Sequence, residues 1–530
     1  MGSKPYCYEA DWRPYAFPED TSRFVTEAEL EAGYTRLDLR SKTPLPAGGM
    51  PIASDGETVI ANTDNEMTMI FGGTGSKKTR SLIVPTICAL AKAEESMIIM
   101  DVKGELSNGT SFPQIRLTLE EHNYGCVYLD FRTKDGDGFN ILEEPYRLYQ
   151  SGKKDEATAM VNDLADALAS IYHGTRADPF WEMTAKQYFV PCTLLLFELC
   201  MNPEMVNILS LASYTNEDSC DCMKKVAELI ECDNNVMTML RSVVSEPEKT
   251  RMSTLATVNS FLTNFVTDEK LLGMLSTSTF SIHDIYKRPT ALFIIIPDEV
   301  DTYSGITGLL LNQFKAALVS DAYELGGQLP RRVNFICDEF CNYYIPGMKQ
   351  AISAHRSRNI RWYMVCQGLK QLHARYPDEA DTILANCNNL YFLSSPELEL
   401  TEYLSRRAGT THFSESGAEV PLISVADLQS LRRSWESAEV YFTSGNRHFV
   451  TKLPDITRYA LPQSDGKPFR RPRRSFPLPK IYSAEQMKDD VVVMRVADER
   501  RKSGGCKNDF ERQMSDRYRS LFRRNGTNKT

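Results

Sequence analysis

Three short stretches of this 530-residue chain combine side chains whose types and order can do chemistry. The first, FGGTGSKKTRS at 71–81, has the order a phosphate-binding loop needs. Glycines let backbone amides turn inward around a β-phosphate, a lysine reaches the β- and γ-phosphates, and a Ser or Thr hydroxyl ligates Mg²⁺. Gly72 opens the motif, Gly73, Thr74, Gly75 and Ser76 form its turn, Lys78 is the lysine and Thr79 the hydroxyl. The sixth position, normally glycine, is Lys77. A side chain there enters where backbone meets phosphate and adds a charge beside Lys78, so binding is expected to survive and turnover to be slow.

The second stretch, RRVNFICDEF at 331–340, is an apolar strand ending in adjacent acids. In phosphate-loop ATPases the first acid orders Mg²⁺ through water and the second polarises the attacking water, roles that fit Asp338 and Glu339. The third, AHRSRNIRWYMVCQG at 354–368, ends a strand at Gln367, where a sensor of γ-phosphate or water would stand. Arg356, Arg358 and Arg361 precede it, and spacing alone does not separate them. Each stretch also has a plainer reading: a glycine-rich turn opening a helix, acids capping a strand, and solvated or packed arginines.

These groups act together only if parallel strands deliver them at their carboxyl ends. The segment MTMIF from Met67 reads as a strand, 72–76 as a loop and 79–93 as a helix; MIIMD (97–101) and CVYLD (126–130) read as buried strands. Helical periodicity then dominates 153–285, with helices expected over 157–171, 181–200, 221–230 and 254–265, before strands resume at 291–296, 333–337, 360–366, 390–394 and 438–442. Short apolar runs separated by helices imply a mainly parallel sheet covered on both faces. The expected organisation is an N-terminal arm (1–60), an α/β domain from 61–150 and 289–460, an all-helical insertion (151–288) and a basic, partly disordered tail (464–530).

Composition sets outer bounds. The chain is 42% hydrophobic and 25% charged, an ordinary globular balance. Its thirteen cysteines are scattered with no CxxC pair, which indicates neither a disulfide framework nor a zinc ribbon and fits a reducing compartment. The apolar runs at 82–91 and 189–200 are broken by Pro85, Pro191 and Glu198 and fall short of a membrane span, and the N-terminus lacks the apolar centre of a signal peptide. The net charge of −9 is uneven: residues 464–530 hold 18 Lys and Arg against 9 Asp and Glu. Within them, KPFRRPRRSFPLPK reads as an extended basic linker, either a tether for partners or nucleic acid or a plain disordered end.

Taken together, the segments from 67 to 453 resemble the type IV coupling proteins, the TraG/TraD-type ATPases of conjugation and type IV secretion. Beyond the nucleotide motifs the resemblance includes DVKGEL (101–106), FNIL (139–142), FW (180–181), ILANCNNLYFLSSPELELTEYLSRRAGT (383–410) and PLISVADLQSL (421–431). It implies a RecA-like nucleotide-binding domain with an inserted helical domain, ATP and Mg²⁺ as ligands, and a ring, expected to be hexameric, with sites shared between subunits. Arg356 matches the family's arginine upstream of the sensor glutamine and would reach a neighbour's γ-phosphate. The partners implied are a relaxase, single- or double-stranded DNA and components of the secretion channel. Many members carry N-terminal membrane helices; with no such helix of its own, this chain is expected in the cytoplasm, at the inner face of the plasma membrane through partners. Two alternatives stand beside this reading: an FtsK- or HerA-like DNA pump outside secretion, and a substrate receptor with a residual nucleotide site.

Overall fold

The computed structural model describes residues 22–172, 179–231, 234–297, 302–412, 418–467, 469–503 and 508–522. Fourteen strands lie among them: β1 (Thr35–Asp38), β2 (Met50–Ser54), β3 (Thr58–Asn62), β4 (Thr68–Phe71), β5 (Ser96–Asp101), β6 (Gly125–Asp130), β7 (Thr290–Ile295), β8 (Val333–Cys337), β9 (Ile360–Cys366), β10 (Asn389–Phe392), β11 (Thr410–His412), β12 (Glu419–Pro421), β13 (Ser437–Ser444) and β14 (Arg447–Pro454). By compactness the chain divides into one unit of Met1–Glu94 with Trp362–Gln463 and another of Glu95–Arg361 with Ser464–Thr530.

In the first unit the strands run in the order β14-β13-β10-β4-β9. β4 is parallel to both neighbours, with Ile70 opposite Val365 and Tyr391, and all four of its residues are buried. Burial on both faces explains why its sequence is a continuous apolar run without alternation. β13 and β14 form an antiparallel hairpin. β14 alternates exposed and buried positions, a weaker signal than the core runs, and sequence reading missed it. The leading segment supplies a small antiparallel sheet, β1-β3-β2.

After the glycine-rich loop the expected helix begins as a π-helical turn, Thr79–Ile83, and continues as an α-helix, Val84–Lys92. Pro85 is the cause we assign. It has no N–H to give the carbonyl of Ser81, so the α ladder cannot run unbroken through this point, and the N–H of Val84 reaches back to Thr79 instead.

The second unit has four parallel strands in the order β8-β5-β7-β6. The four expected helices form as Lys154–Tyr172, Pro179–Leu199, Glu217–Leu229 and Glu248–Val266. A 23-residue helix, Thr302–Glu324, was not foreseen. Leu309, Leu310, Leu311, Phe314 and Leu318 are all buried, and so are Asn312 and Gln313, so no polar stripe marks its period. Among the described residues no helix is long and apolar enough to cross a membrane.

The basic tail, expected to be partly disordered, carries two helices. Residues 469–480 form neither helix nor strand, in keeping with their prolines, but Ala484–Lys502 and Asp509–Phe522 are helices. Ser483 and Gln486 form a capping box that starts the first, which buries Met487, Val491, Met494 and Ala497. The Tyr482 N–H donates to Ser210 Oγ at 3.0 Å, and the Tyr518 hydroxyl donates to the Leu229 carbonyl at 2.7 Å. The part before the helices is held by ion pairs, Arg471 to Asp130 at 2.8 Å, Arg473 to Asp135 at 3.3 Å and Arg474 to Asp137 at 2.8 Å. These arginines therefore face acids of their own unit. The overlooked signal was SAEQMKDDVVVM, whose apolar residues follow a cap at helical spacing.

One ion cluster predicts a pH dependence. His283 donates through Nδ1 to Asp321 (2.8 Å) and through Nε2 to Glu144 (3.0 Å). Burial opposes its charge, but the hydrogen bonds to Asp321 and Glu144 outweigh burial and raise its pKa to about 9. A raised imidazole stabilises the fold fully below the free value near 6.5, and that contribution is lost as pH climbs through about 9. At under a fifth exposed, the pair is worth on the order of 2–3 kcal/mol. We expect the thermal midpoint of the wild-type chain to fall more between pH 6.5 and 9.5 than that of His283→Gln; parallel profiles would refute the assignment.

Candidate functional site

The glycine-rich loop leaves the carboxyl end of β4. The Gly72 N–H donates to the Cys366 carbonyl at the end of β9 (3.2 Å), and the Gly73 N–H donates to the Ser394 carbonyl beyond β10 (2.9 Å). Both flanking strands thus pin the start of the loop. A side-chain carbon at Gly72 would lie 2.6 Å from Ser76 Oγ and 3.2 Å from Leu393 Cβ and Lys78 Cδ, so a larger residue at the first position would have to displace its neighbours, while Gly75 takes a left-handed φ of +74°.

Lys78 is buried, and its ammonium donates to the carbonyls of Gly72 (2.6 Å) and Gly73 (3.1 Å), inside the turn it closes. Ser76 Oγ is buried with no hydrogen-bond partner. A buried hydroxyl left unpaired costs free energy, on the order of 1–3 kcal/mol, unless a ligand or water supplies the partner. An orphaned hydroxyl and a lysine on one glycine-rich loop fit a phosphate group. Thr79 is half-buried at the first residue of the π turn.

Lys77 departs from expectation. Its backbone is left-handed, φ +72°, a conformation costing a side-chain-bearing residue roughly 1–2 kcal/mol relative to glycine. Its ammonium does not crowd Lys78; it donates to the Trp435 carbonyl (2.8 Å) and to Asp455 Oδ2 (3.1 Å). Arg80 binds the same carboxylate through Nε (2.7 Å) and Nη2 (2.6 Å). Burial would raise the Asp455 pKa, but the hydrogen bonds from Arg80, the Thr457 backbone and Lys77 hold it well below the usual carboxylate range. The Lys77 ammonium is thus engaged by groups other than those that hold Lys78.

Gln367 follows Cys366, whose carbonyl holds Gly72, so this residue and the phosphate loop share one end of the same strands. Its N–H donates to Gln371 Oε1 (3.1 Å). Glu397, in the 383–410 motif, accepts the N–H groups of Leu369 and Lys370 and caps the following helix.

Asp338, Glu339 and Arg356 belong to the second unit. The two acids follow β8 directly, half-buried, and Glu339 is left-handed at φ +53°, an uncommon state for a non-glycine residue that is enriched at functional sites. Arg356 is exposed on a short 3₁₀ turn. Arg358 donates to the Ala354 carbonyl (2.6 Å), and Arg361 is buried, donating to Asn334 (2.8 Å) and Glu95 (3.0 Å). Asp101, from the DVKGEL motif, ties its own turn by accepting from the Ser107 N–H and hydroxyl. Sequence reasoning missed Asp455, Arg80 and Trp435; Arg80 sits inside the motif, but nothing local marks Asp455 as the partner of residues about 375 positions earlier.

Parallel strands feeding a glycine-rich loop, with a helical domain, place the chain in the α/β class with a RecA-like nucleotide-binding domain. The family model described as Type IV secretory system Conjugative DNA transfer matches residues 32–433, and the chain belongs to that family. Similar solved structures include the bacterial conjugative coupling protein TrwB in complex with sulphate (15% identity, TM-score 0.56, covering 85% of this chain and 96% of that one). The same protein in complex with the ATP analogue ADPNP is similar at 15% identity and TM-score 0.56 (86% and 97% covered). In complex with ADP and Mg²⁺ it is similar at 14% identity and TM-score 0.56 (86% and 96% covered). A comparison with curated proteins finds no match.

Proposed function

We propose that this chain is a type IV coupling protein, a nucleotide-driven component that recruits relaxase-bound DNA or a protein substrate to a conjugative secretion channel. The observation that carries the nucleotide half of the reading is the phosphate loop itself, with Lys78 buried inside the turn and Ser76 Oγ unpaired beside it. Family membership supports the transfer half. The fold likeness to TrwB, whose complexes hold ADPNP, and ADP with Mg²⁺, supports ATP with Mg²⁺ as the ligands.

In this reading the amides of Thr74, Gly75 and Lys77 face the phosphates, Lys78 neutralises the β- and γ-phosphates, and Thr79 and Asp338 hold Mg²⁺. The metal, when bound, withdraws charge from the phosphate oxygens. Among the described residues no cluster of three His, Cys, Asp or Glu side chains could hold a metal alone, in keeping with a Mg²⁺ bound through one carboxylate, a hydroxyl and substrate phosphates. Glu339 orients the attacking water, Gln367 senses the γ-phosphate, and Arg356 acts on a neighbouring subunit in a homo-oligomeric, hexameric ring. The nucleotide domain comprises 61–150 and 289–460, and the insertion 151–288 meets the cargo. The ring stands at the membrane through channel components.

DNA-stimulated ATP hydrolysis by the purified chain tests this reading. A rate that rises several-fold with DNA is expected; hydrolysis that DNA leaves unchanged would favour a protein-substrate receptor over a DNA motor.

A further inference from the structure

Among phosphate loops the position of Lys77 is one for glycine, and φ +72° shows why. A lysine holds this backbone at a cost that a group fixing its side chain can offset, and such a group is visible. Asp455 follows β14, is 1% exposed, and receives Lys77 Nζ, both Arg80 contacts, the Thr457 N–H (3.2 Å) and the Thr457 hydroxyl (3.1 Å). Its own N–H donates to the Glu436 carbonyl (2.6 Å), so the carboxylate is anchored from behind. The Trp435 carbonyl takes a second proton of the same ammonium, and Arg458 stacks on the Trp435 ring at 4.9 Å, bracing that segment.

We infer that Asp455 is a positioning residue for nucleotide binding: it tethers the ammonium of Lys77 and so holds residue 77 in the left-handed backbone that a glycine would supply in a phosphate loop. The inference rests on the nucleotide reading above. The tether acts before ligand arrives, because a loop that populates the competent backbone only part of the time binds more weakly in proportion to that fraction. Glycine needs no tether and alanine has none to offer, which makes the two substitutions opposite tests of one mechanism.

The experiment is an equilibrium titration of the full chain with a fluorescent ATP analogue and Mg²⁺, with thermal melts recorded in parallel. Asp455→Asn is expected to weaken binding about tenfold. Adding Lys77→Gly to Asp455→Asn should recover most of the loss, and adding Lys77→Ala should recover none. In the otherwise native chain, Lys77→Ala should bind at least fivefold more weakly than Lys77→Gly. If glycine fails to rescue Asp455→Asn, or alanine rescues it equally, the tether is refuted and Asp455 serves only the fold through Arg80. Should Asp455→Asn fail to fold, the Lys77→Ala and Lys77→Gly pair decides: equal affinities overturn the inference. A parent chain that does not bind, or a Lys78→Ala variant that binds like the parent, refutes the nucleotide site itself and the inference with it; binding lost in Lys78→Ala with no difference among the Lys77 and Asp455 variants refutes the tether alone.

Discussion

Replacing Lys78 with alanine is expected to weaken nucleotide binding by about 10²-fold or more. Hydrogen bonds from an ammonium to phosphate oxygens contribute roughly 1.5–3 kcal/mol each, and Lys78 is the cation this loop buries within its own turn. The substitution acts twice. It removes the charge that would face the β- and γ-phosphates, and it removes the donor that now ties the carbonyls of Gly72 and Gly73 together. Fluorescence titration with an ATP analogue measures the outcome, with the melting temperature as the control for folding. Affinity equal to that of the parent would mean that the loop at 71–81 is a structural turn and that phosphate binds elsewhere, if at all.

The second large effect concerns turnover. Arg356→Ala is expected to lower the ATPase rate by about 10³ to 10⁵, the range for an arginine supplied to a transferring phosphoryl group from outside its own site. Glu339→Gln should stop hydrolysis and leave binding intact, because the amide keeps the shape of the acid and loses its ability to polarise water. An arginine that serves a neighbour has to be exposed in its own subunit. Arg356 is exposed, whereas Arg361 is 1% exposed against Glu95 and Asn334, where its loss would unfold the core before it slowed any chemistry. Mixtures of Arg356→Ala and Glu339→Gln chains should therefore regain activity that neither has alone. Failure of complementation under verified subunit exchange would place both residues in one subunit's site or in none.

The features legible in the sequence share a physical cause. β4, β5, β7, β8 and β9 are buried on both faces, so their apolar runs are nearly continuous, broken inside only by the paired Asn334 of β8 and Arg361 of β9, and their ends are sharp; the loop after β4 and the acids after β8 are legible because they punctuate those ends. What escaped notice lacked either contrast or locality. The helix Thr302–Glu324 buries polar and apolar residues alike and shows no period, and β14 alternates too weakly to stand out from a loop. The tail was read from its charge, and charge does not report that Met487, Val491 and Met494 lie on one buried face. Lys77 was recognised as an oddity, but its meaning depended on Asp455, and no local pattern connects the two.

The ion pairs of Arg471, Arg473 and Arg474 have a consequence best stated in terms of tethered ligands. Asp130 and Asp137 are buried, but the arginines that reach all three acids stand partly in water, so the pairs weaken with salt and a free peptide of this sequence would hold to Asp130, Asp135 and Asp137 less firmly than a joined one. Here the peptide is continuous with the chain at both ends, and its C-terminal end runs into a helix docked through Tyr482 and Met487 in the same unit as those acids, so its local concentration is roughly in the millimolar range or above. Salt that strips the arginines from their acids leaves the leash attached at both ends. The segment then redocks without a search when the salt is withdrawn, and a polyanion that binds these arginines must displace acids that are never far from them.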